Sequence, residues 1–232
     1  MKPLHIHRKC ITINRIIYTV RMSTTTHDTS DTSDSSTDSL TEMNVYLRPI
    51  KYNVHTSLQS KPKESLKEIS NKLALPVHLM LLNLDGNMNI AMSIRSAAVL
   101  GCSTVWVVGR RKYDARPEVG SKNYIKVNKL SSIDPTTFFT THGLQPIVIE
   151  QGGQALEDMN FKPFIQHPKP VCFIMGSESH GFSKEWLAKL AGEPRITISQ
   201  YGIVRSLNVS MAASIILYEY LRQWRTYRKQ LL

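Results

Sequence analysis

The sequence contains few cysteines, and their spacing excludes the usual cysteine-rich sites. Its 232 residues include three cysteines, Cys10, Cys102 and Cys172, and no two of them form a CxxC pair. Structural zinc sites and disulfide frameworks use closely spaced cysteines. We therefore expect neither of them, and the apolar surroundings of Cys102 and Cys172 predict buried thiols in a reducing compartment.

Long apolar runs and phosphate-binding glycine motifs are also absent from the sequence. No apolar stretch approaches the roughly 18 residues that a membrane-spanning helix needs. The sequence contains neither a GxxxxGK[ST] loop nor a GxGxxG turn. We therefore expect no membrane segment, and we expect no enzyme that holds ATP or NAD through either of those loops.

Acidic residues are missing from residues 1–22, which carry five Lys/Arg, and basic residues are missing from residues 23–43, which carry five Asp/Glu. These two segments cancel each other. The remaining residues, 44–232, hold 24 Lys/Arg against 13 Asp/Glu, so the net charge of +11 belongs to them. A basic domain favours a polyanionic partner, most often a nucleic acid. The alternative is a basic soluble enzyme without such a partner.

The composition divides the chain into a tail and one domain. Residues 23–43 are rich in Ser, Thr and Asp and nearly free of large apolar side chains, so they cannot offset the entropy of ordering. We therefore predict a disordered extension and linker over residues 1–60. Residues 61–232 are predicted to form one folded domain.

The basic segment at residues 1–22 leaves the compartment open. It fits a mitochondrial transit peptide, and it equally fits an untranslated lead-in if Met22 or Met43 is the true start. The protein is therefore expected in the cytoplasm or nucleus, or in mitochondria if this segment directs it there.

Apolar runs and helical patterns alternate in the folded part of the chain. This rhythm predicts an α/β domain with a mainly parallel sheet flanked by helices. Ser65 and Glu68 form a capping-box pattern that predicts a helix to Leu73. Strands are predicted at 77–84, 104–108, 146–150, 171–175 and 196–198, and helices at 89–100, 161–165 and after residue 206.

Two of these strands lead into polar loops that contain glycine. Val171 to Met175 is followed by Gly-Ser-Glu-Ser-His-Gly, and Ile196 to Ile198 by a loop that enters the last helix. In parallel sheets the ligand sites lie at the carboxyl ends of the strands. Backbone N–H groups in such loops can approach a ligand closely. A nucleotide-like ligand with a cationic centre and no pyrophosphate suits these loops better than ATP or NAD.

Three motifs follow one another within residues 75–232. The first is Asn89 with Arg95 six residues later, the second is Gly176-Ser-Glu178 to Gly181, and the third is Ile198 to Ser206-Leu-Asn-Val-Ser210. In this order they resemble the SpoU (TrmH-type) branch of the SPOUT RNA methyltransferases. Three departures from the family pattern are Ser199 in place of proline, Ala91 in place of glycine, and Arg205, which resembles eukaryotic tRNA ribose methyltransferases.

The resemblance implies a deep trefoil knot in the C-terminal part of the domain, although such knots are almost absent among folds. It also implies S-adenosylmethionine bound in the knot without a metal, and a homodimer with the RNA site across the interface. The implied reaction is methyl transfer to a ribose 2′-hydroxyl of tRNA or rRNA. The alternative is a catalytically inactive knotted module that only binds RNA.

The resemblance also implies roles for the polar residues of the motifs. Arg95 would bind an RNA phosphate and activate the 2′-hydroxyl, although a solvated helical arginine is the simpler interpretation. Asn89 would build the catalytic site, or would only cap its helix. Glu178 would order the site around the cofactor, or would be a surface carboxylate. Ser206 and Asn208 would belong to the cofactor loop and active site, or would be helix caps.

The remaining assignments concern binding surfaces. The resemblance implies that Gly176, Ile198 and Leu207 hold the adenosine end of the cofactor, and it gives His180 no role. The basic loop 110–122 either faces solvent or contacts RNA phosphates, with Tyr113 available to stack on a base. In the last helix the spacing of Ile216, Tyr220 and Trp224 predicts a stripe that serves a partner subunit or the core.

Overall fold

The structure is a computed structural model in which residues 52–109 and 112–230 are described. The predicted disordered extension lies almost wholly outside these residues, and so do Cys10 and the transit-peptide segment. The described residues belong to one compact unit, which extends from Pro49 to Leu232.

Six strands form a single sheet in which every neighbouring pair is parallel, with the order β3-β2-β1-β5-β4-β6. The central strands are nearly continuous apolar runs because both faces of the sheet are covered. The predicted α/β fold with a parallel sheet is confirmed. The strands are β1 (Leu75–Leu82), β2 (Cys102–Val108), β3 (Lys126–Leu130), β4 (Gln145–Ala155), β5 (Val171–Met175) and β6 (Arg195–Thr197).

Helices cover both faces of this sheet, and short 3₁₀ turns lie between some of the elements. The helices are α1 (Lys63–Leu73), α2 (Asn87–Val99), α3 (Pro135–His142), α4 (Lys162–Gln166), α5 (Lys184–Lys189) and α6 (Val209–Gln230). None of the described helices combines the length and hydrophobicity needed to cross a bilayer.

The larger core lies between the sheet and helices α2, α4 and α6. Ile90 and Ile94 of α2 are fully buried in it, as the helical pattern predicts. Tyr220 of α6 packs edge-on against Phe161 and Phe173, with ring centroids 5.4 and 5.5 Å away. Such aromatic pairs add about 0.5–1.5 kcal/mol beyond their buried area. The second core lies on the opposite face, under α3 and α5.

Cys102 and Cys172 lie inside the molecule, as predicted. Burial raises the pKa of the Cys102 thiol to about 12 and the pKa of Cys172 well above its ordinary range. Both thiols therefore stay protonated at neutral pH and pack as small apolar groups.

The carboxyl ends of the strands lie at one edge of the sheet, and the chain order reverses there between β1 and β5. In open α/β sheets this reversal opens a crevice in which ligands bind. The loops after β1 and β5 flank it, and those after β4 and β6 lie beside them.

Two predicted helix starts are wrong. Helix α1 begins at Lys63 with Pro62 as its N-cap, so Ser65 lies inside the helix and forms no capping box. Helix α2 has Gly86 as its N-cap, which places Asn89 in the first turn. The side chain of Asn89 is therefore not a cap.

The strand β3 and the helix α3 are missing from the sequence-based prediction. The sequence of β3, Lys-Val-Asn-Lys-Leu, is largely polar because β3 is the edge strand and several of its side chains face solvent. Strand β4 is also longer than predicted. It continues past Glu150, and its second half pairs with β6.

The stripe on α6 serves the chain's own core. Ile216 and Tyr220 are 0% and 1% exposed, and Trp224 packs against the same cluster. This stripe therefore offers nothing to a partner subunit. The trefoil knot is expected for this fold and stays a prediction.

Candidate active site

A cleft of about 650 Å³ opens at the edge of the sheet beside the ends of β5 and β6 and the middle of β4. Its walls come from the start of α2, these parts of the three strands, the loops after β5 and β6, and the first turn of α6. The residues that line it are Asn89, Ile149 to Gln151, Met175 to Phe182, Thr197, Ile198, Gln200, Arg205 to Val209 and Ala212.

The Glu178 carboxylate joins the loop after β5 to the loop after β1. One oxygen, Oε2, accepts a hydrogen bond from the Asp85 N–H at 2.7 Å. The other oxygen accepts from the Gly86 N–H at 3.1 Å and from Asn89 Nδ2 at 2.8 Å. Hydrogen bonds to a charged group contribute about 1.5–3 kcal/mol each. Glu178 therefore fixes the position of both loops, and it is not a free surface carboxylate.

The amide of Asn89 continues this connection to the loop after β6. Its Nδ2 donates to Glu178, and its Oδ1 accepts from Nδ2 of Asn208 at 3.0 Å. Asn208 Oδ1 in turn accepts from the N–H and the hydroxyl of Ser210, at 2.9 and 2.6 Å. Asn208 is thus the N-cap of α6 and also a member of the site. The chain Glu178–Asn89–Asn208 links all three motifs.

Glycine is needed at two positions of these loops because other atoms approach too closely. A Cβ on Gly86 would lie 2.5 Å from Asn89 Nδ2, and one on Gly176 would lie 2.8 Å from the carbonyl carbon of Gly181. Gly176 precedes a tight hairpin in which Ser177 and Gly181 exchange backbone hydrogen bonds of 3.0 and 2.9 Å. Gly176 therefore shapes the loop as well as lining the cleft.

The other residues predicted to hold the cofactor also line the cleft. Ile198 is half-buried at its floor, whereas Ser206 and Leu207 are exposed in the loop before α6. Since Asn208 caps α6, Ser206 is not the cap. All the site residues that the motifs indicate, apart from Arg95, thus meet at one cleft.

Arg95 does not reach the cleft of its own chain. It is exposed on α2 and is absent from the residues that line the cleft. Six residues of α-helix place it roughly 120° around the axis from Asn89 and about 9 Å further along. The first motif therefore divides into one residue that faces the cleft and one that faces away.

Several residues that line the cleft are not part of the family motifs. Glu150 and Gln151 end the first half of β4, and Gln151 Nε2 donates to the Arg205 carbonyl at 3.4 Å. The Ser179 hydroxyl donates to Asp85 Oδ2 at 2.5 Å and lies 2.6 Å from His180 Nδ1. The apolar run followed by Glu-Gln-Gly-Gly at 150–153 repeats the pattern of the other two loops, and this signal could have identified Glu150.

The basic loop folds around a buried acid. Glu118 is 1% exposed, accepts a hydrogen bond from the Tyr113 hydroxyl at 3.2 Å and pairs with Lys122 at 3.0 Å. Burial and the Glu118 charge raise the pKa of Tyr113 to about 12. Lys129 covers the ring of Tyr113, 4.3 Å from its centroid, which leaves that face unavailable to a base. Arg110 and Arg111 lie outside the described residues.

Side chains that could bind a metal ion are not clustered within the described part of the molecule. Within residues 52–109 and 112–230, no three His, Cys, Asp or Glu side chains are arranged to hold a metal ion.

Comparison with known families identifies this arrangement. The model of the SpoU rRNA methylase family matches residues 76–218. The chain belongs to this family. The match begins within β1 and ends within α6, so it includes all three motifs and the whole of the cleft.

Relatives in the SpoU family match most of the domain. The tRNA (guanosine(18)-2′-O)-methyltransferase of Escherichia coli K12 is 32% identical over 139 residues, which are 58% of this chain and 58% of the relative. The protein of the same name from Aquifex aeolicus is 26% identical over 168 residues, 70% of this chain and 77% of that protein. The match thus spans less than two thirds of the E. coli relative.

Solved structures of SpoU proteins share the fold. The A. aeolicus TrmH/SpoU tRNA modifying enzyme superposes with a TM-score of 0.59 at 22% identity, covering 71% of this chain and 83% of that one. AviRb from Streptomyces viridochromogenes, solved with the cofactor AdoMet, gives 0.56 at 23% identity and covers 65% and 61%. The fold is that of the SPOUT methyltransferases.

Proposed function

We propose that this protein is an S-adenosylmethionine-dependent RNA methyltransferase that acts on a ribose 2′-hydroxyl of tRNA or rRNA. The chain of hydrogen bonds Glu178–Asn89–Asn208 carries the proposal, because it assembles the three loops of the SpoU motifs around one cleft. The activity named for the E. coli relative supports the same assignment. The net charge of +11 suits a polyanionic substrate.

The groups in the cleft fit S-adenosylmethionine. The side chains of Ile149, Ile198 and Leu207 offer an apolar surface for adenine, and the turn at Gly176 brings backbone groups to its edge. A volume of about 650 Å³ lies within the range of small-molecule sites. The ligand has no phosphate and so needs no phosphate loop. When bound, it supplies a methyl group on a sulfonium centre.

The 2′-hydroxyl must lose its proton as the methyl group is transferred. Glu178 already accepts three N–H groups, so its two oxygens are engaged in holding the loops together. A guanidinium is a poor proton acceptor in general, because it is almost always protonated in proteins. We therefore assign Arg95 to binding the RNA phosphate and aligning the hydroxyl.

A homodimer would bring Arg95 to a cleft. Helices α2 and α6 pack side by side, with the Ser96 and Ser214 hydroxyls 2.8 Å apart. Helical geometry places an exposed stripe of each helix on the same side of this contact. The apolar members are Met88 and Val99 of α2, 57% and 77% exposed, and Met211, Ile215 and Tyr218 of α6, 43%, 40% and 61% exposed.

This exposed face includes Arg95, which lies between Met88 and Val99 on the stripe of α2. A contiguous apolar face of this kind is typical of an interaction site. We propose that a second copy of the chain covers it and that Arg95 then acts on the cleft of the partner subunit. The proposal explains why Arg95 is exposed and directed away from its own cleft.

Calorimetric titration tests the choice of cofactor. We expect S-adenosylmethionine to bind without added metal, and we expect ATP and NAD to bind far more weakly. Binding of ATP or NAD with no measurable binding of S-adenosylmethionine would refute the proposed function.

A further inference from the structure

Glu150 occupies a position in the cleft that none of the family motifs includes. Strand β4 lies between β5 and β6 in the sheet, so the end of its apolar run lies between the glycine hairpin and the loop before α6. Glu150 is half-buried there and lines the cleft. A carboxylate in such a position loses hydration and requires donors in exchange.

The Glu150 carboxylate is held in place but is not saturated. Its Oε1 accepts a hydrogen bond from the N–H of Gln151 at 2.9 Å. Its Oε2 rests against the hairpin, because a Cβ on Gly181 would lie 2.9 Å from it. Among the described residues no other donor reaches Glu150, whereas Glu178 in the same cleft accepts three. Glu150 therefore keeps acceptor capacity for a ligand.

Gln151, the residue after Glu150, contacts the loop that forms the opposite wall of the cleft. Its side-chain amide donates to the Arg205 carbonyl and so joins β4 to the loop before α6. Glu150 thus lies at the point where the hairpin, β4 and this loop meet. A ligand that binds to both loops therefore has polar groups close to Glu150.

We infer that Glu150 accepts hydrogen bonds from the ribose hydroxyls of the bound methyl donor and so determines specificity for a ribonucleoside. The inference rests on the proposed function. Two adjacent hydroxyls offer two O–H donors to one carboxylate, and an acidic residue binds the ribose in the same way in dinucleotide-binding folds. The surrounding Ile149 and Ile198 provide no competing acceptor from their side chains.

The sulfonium group is a poorer partner for Glu150. Its positive charge disappears as the methyl group leaves, so a carboxylate beside it would stabilise the ground state more than the transition state. Such an interaction would slow the reaction. The ribose carries no charge in either state, and a hydrogen bond to it contributes to binding without this penalty.

Binding measurements with fragments of the ligand test this inference. The variants are Glu150→Gln and Glu150→Ala, with Glu68→Gln, an exposed carboxylate on α1, as the matched control. The probes are S-adenosylmethionine, S-adenosylhomocysteine, 5′-methylthioadenosine and the 2′,3′-dideoxy form of the last. Thermal unfolding of each variant verifies that it is folded.

We expect Glu150→Ala to weaken binding of the three ribose-containing probes by a similar factor, about 10- to 100-fold. Glu150→Gln should weaken it less, since a neutral acceptor makes the weaker bond. The dideoxy probe should bind the wild type and both variants equally, and Glu68→Gln should resemble the wild type.

Two results would overturn the inference while the proposed function stands. One is wild-type affinity of both variants for all the probes. The other is a loss confined to S-adenosylmethionine, which would place Glu150 at the sulfonium. Failure of the wild type to bind any probe would instead refute the proposed function together with the inference.

Discussion

The position of Arg95 indicates that binding of the methyl donor and alignment of the RNA depend on different residues. It lies on an exposed face of α2, whereas Asn89, six residues earlier and roughly 120° around the helix axis, contacts Glu178 and Asn208 in the cleft. Binding of the methyl donor is therefore assigned to residues of the cleft. In the proposed dimer, alignment of the RNA falls to Arg95, which would reach the cleft of the second subunit.

Replacing Arg95 should consequently abolish methyl transfer without affecting the cofactor. We expect Arg95→Ala to lower the single-turnover rate on total cellular RNA at least about 100-fold. Arg95→Lys should rescue poorly, because a point-like ammonium cannot bridge phosphate and hydroxyl in one planar fork.

Calorimetry on the same Arg95 variants provides the control. Their affinity for S-adenosylmethionine should match that of the wild type. Near-normal turnover in Arg95→Ala would remove Arg95 from the mechanism and point to Glu178 or a bound water as the proton acceptor.

His78 is a half-buried titratable group that the proposed mechanism does not use. The Trp106 indole N–H donates to its Nδ1 at 3.0 Å. Burial, assisted by Lys126 and His142, lowers the pKa of His78 from 6.5 to about 4. The folded protein therefore holds His78 neutral, whereas an unfolded chain would protonate it below about pH 6.5.

The unfolded state consequently binds more protons between about pH 6.5 and pH 4, and stability should fall as the pH is lowered through this window. The contribution of His78 is at most about 3 kcal/mol. Urea unfolding at several pH values should give a flatter dependence for His78→Gln. Identical slopes for the variant and the wild type would contradict the assignment.

Helices α2 and α6 each have three distinct faces. Their buried faces form the core, and their adjoining faces carry the contacts Asn89–Asn208 and Ser96–Ser214. Their exposed faces leave Val99 and Tyr218 in solvent in a single chain, 77% and 61% exposed. The site and the proposed dimer interface are therefore built on the same pair of helices.

A charge on the exposed stripe should separate the subunits and stop the reaction. Ile215 is exposed in one chain, so Ile215→Glu should leave the fold of that chain intact. We expect light scattering to report a dimer for the wild type and a monomer for the variant. The monomer should bind S-adenosylmethionine but transfer no methyl group.

The matched substitution for the dimer experiment is Lys67→Glu, on the exposed surface of α1. This control should remain a dimer. A fully active wild-type monomer at micromolar concentration would refute the proposed assembly.

The sequence predicts best those elements that are buried on both sides. Strand β5 was predicted with its observed bounds because Val171 to Met175 is a continuous apolar run. The sequence does not predict strand β3, because its charged residues, Lys126 and Lys129, face solvent at the sheet edge. An edge strand has a neighbouring strand on one side only and exposes its other side to water. Its sequence therefore need not be a continuous apolar run.

The candidate site could be predicted only in part. The motif residues Glu178 and Asn208 meet as expected because both follow strands that end at the same edge. The helical pattern of α2 places Arg95 on the exposed side, but the distance of that side from the cleft depends on how the elements pack, and the role of Glu150 depends on the neighbours of β4. These relations follow from strand order, which local sequence patterns do not contain.

The net charge of the first 43 residues is zero, so residues 44–232 carry the entire net charge of +11. The SpoU match covers residues 76–218. We therefore propose that residues 61–232 form the methyltransferase domain. In this proposal the same domain, together with the second copy in the proposed dimer, recognises the RNA.

Deletion of residues 1–43 should leave folding and methyl transfer intact, because this segment lacks core-forming side chains in residues 23–43. Thermal unfolding and single-turnover rates of the truncated and full-length proteins provide the comparison. Loss of the folded domain on truncation would show that the segment contributes to the structure.

The most direct measurement follows the methyl group itself. The purified full-length protein is incubated with total RNA and S-adenosylmethionine that carries a tritiated methyl group, and the RNA is then digested to nucleosides. We predict that the label appears in a 2′-O-methylated ribonucleoside from tRNA or rRNA, and that Arg95→Ala removes it. Label on a base, or no label in RNA although S-adenosylmethionine binds, would contradict the account and indicate a different methyl acceptor or an inactive RNA-binding module.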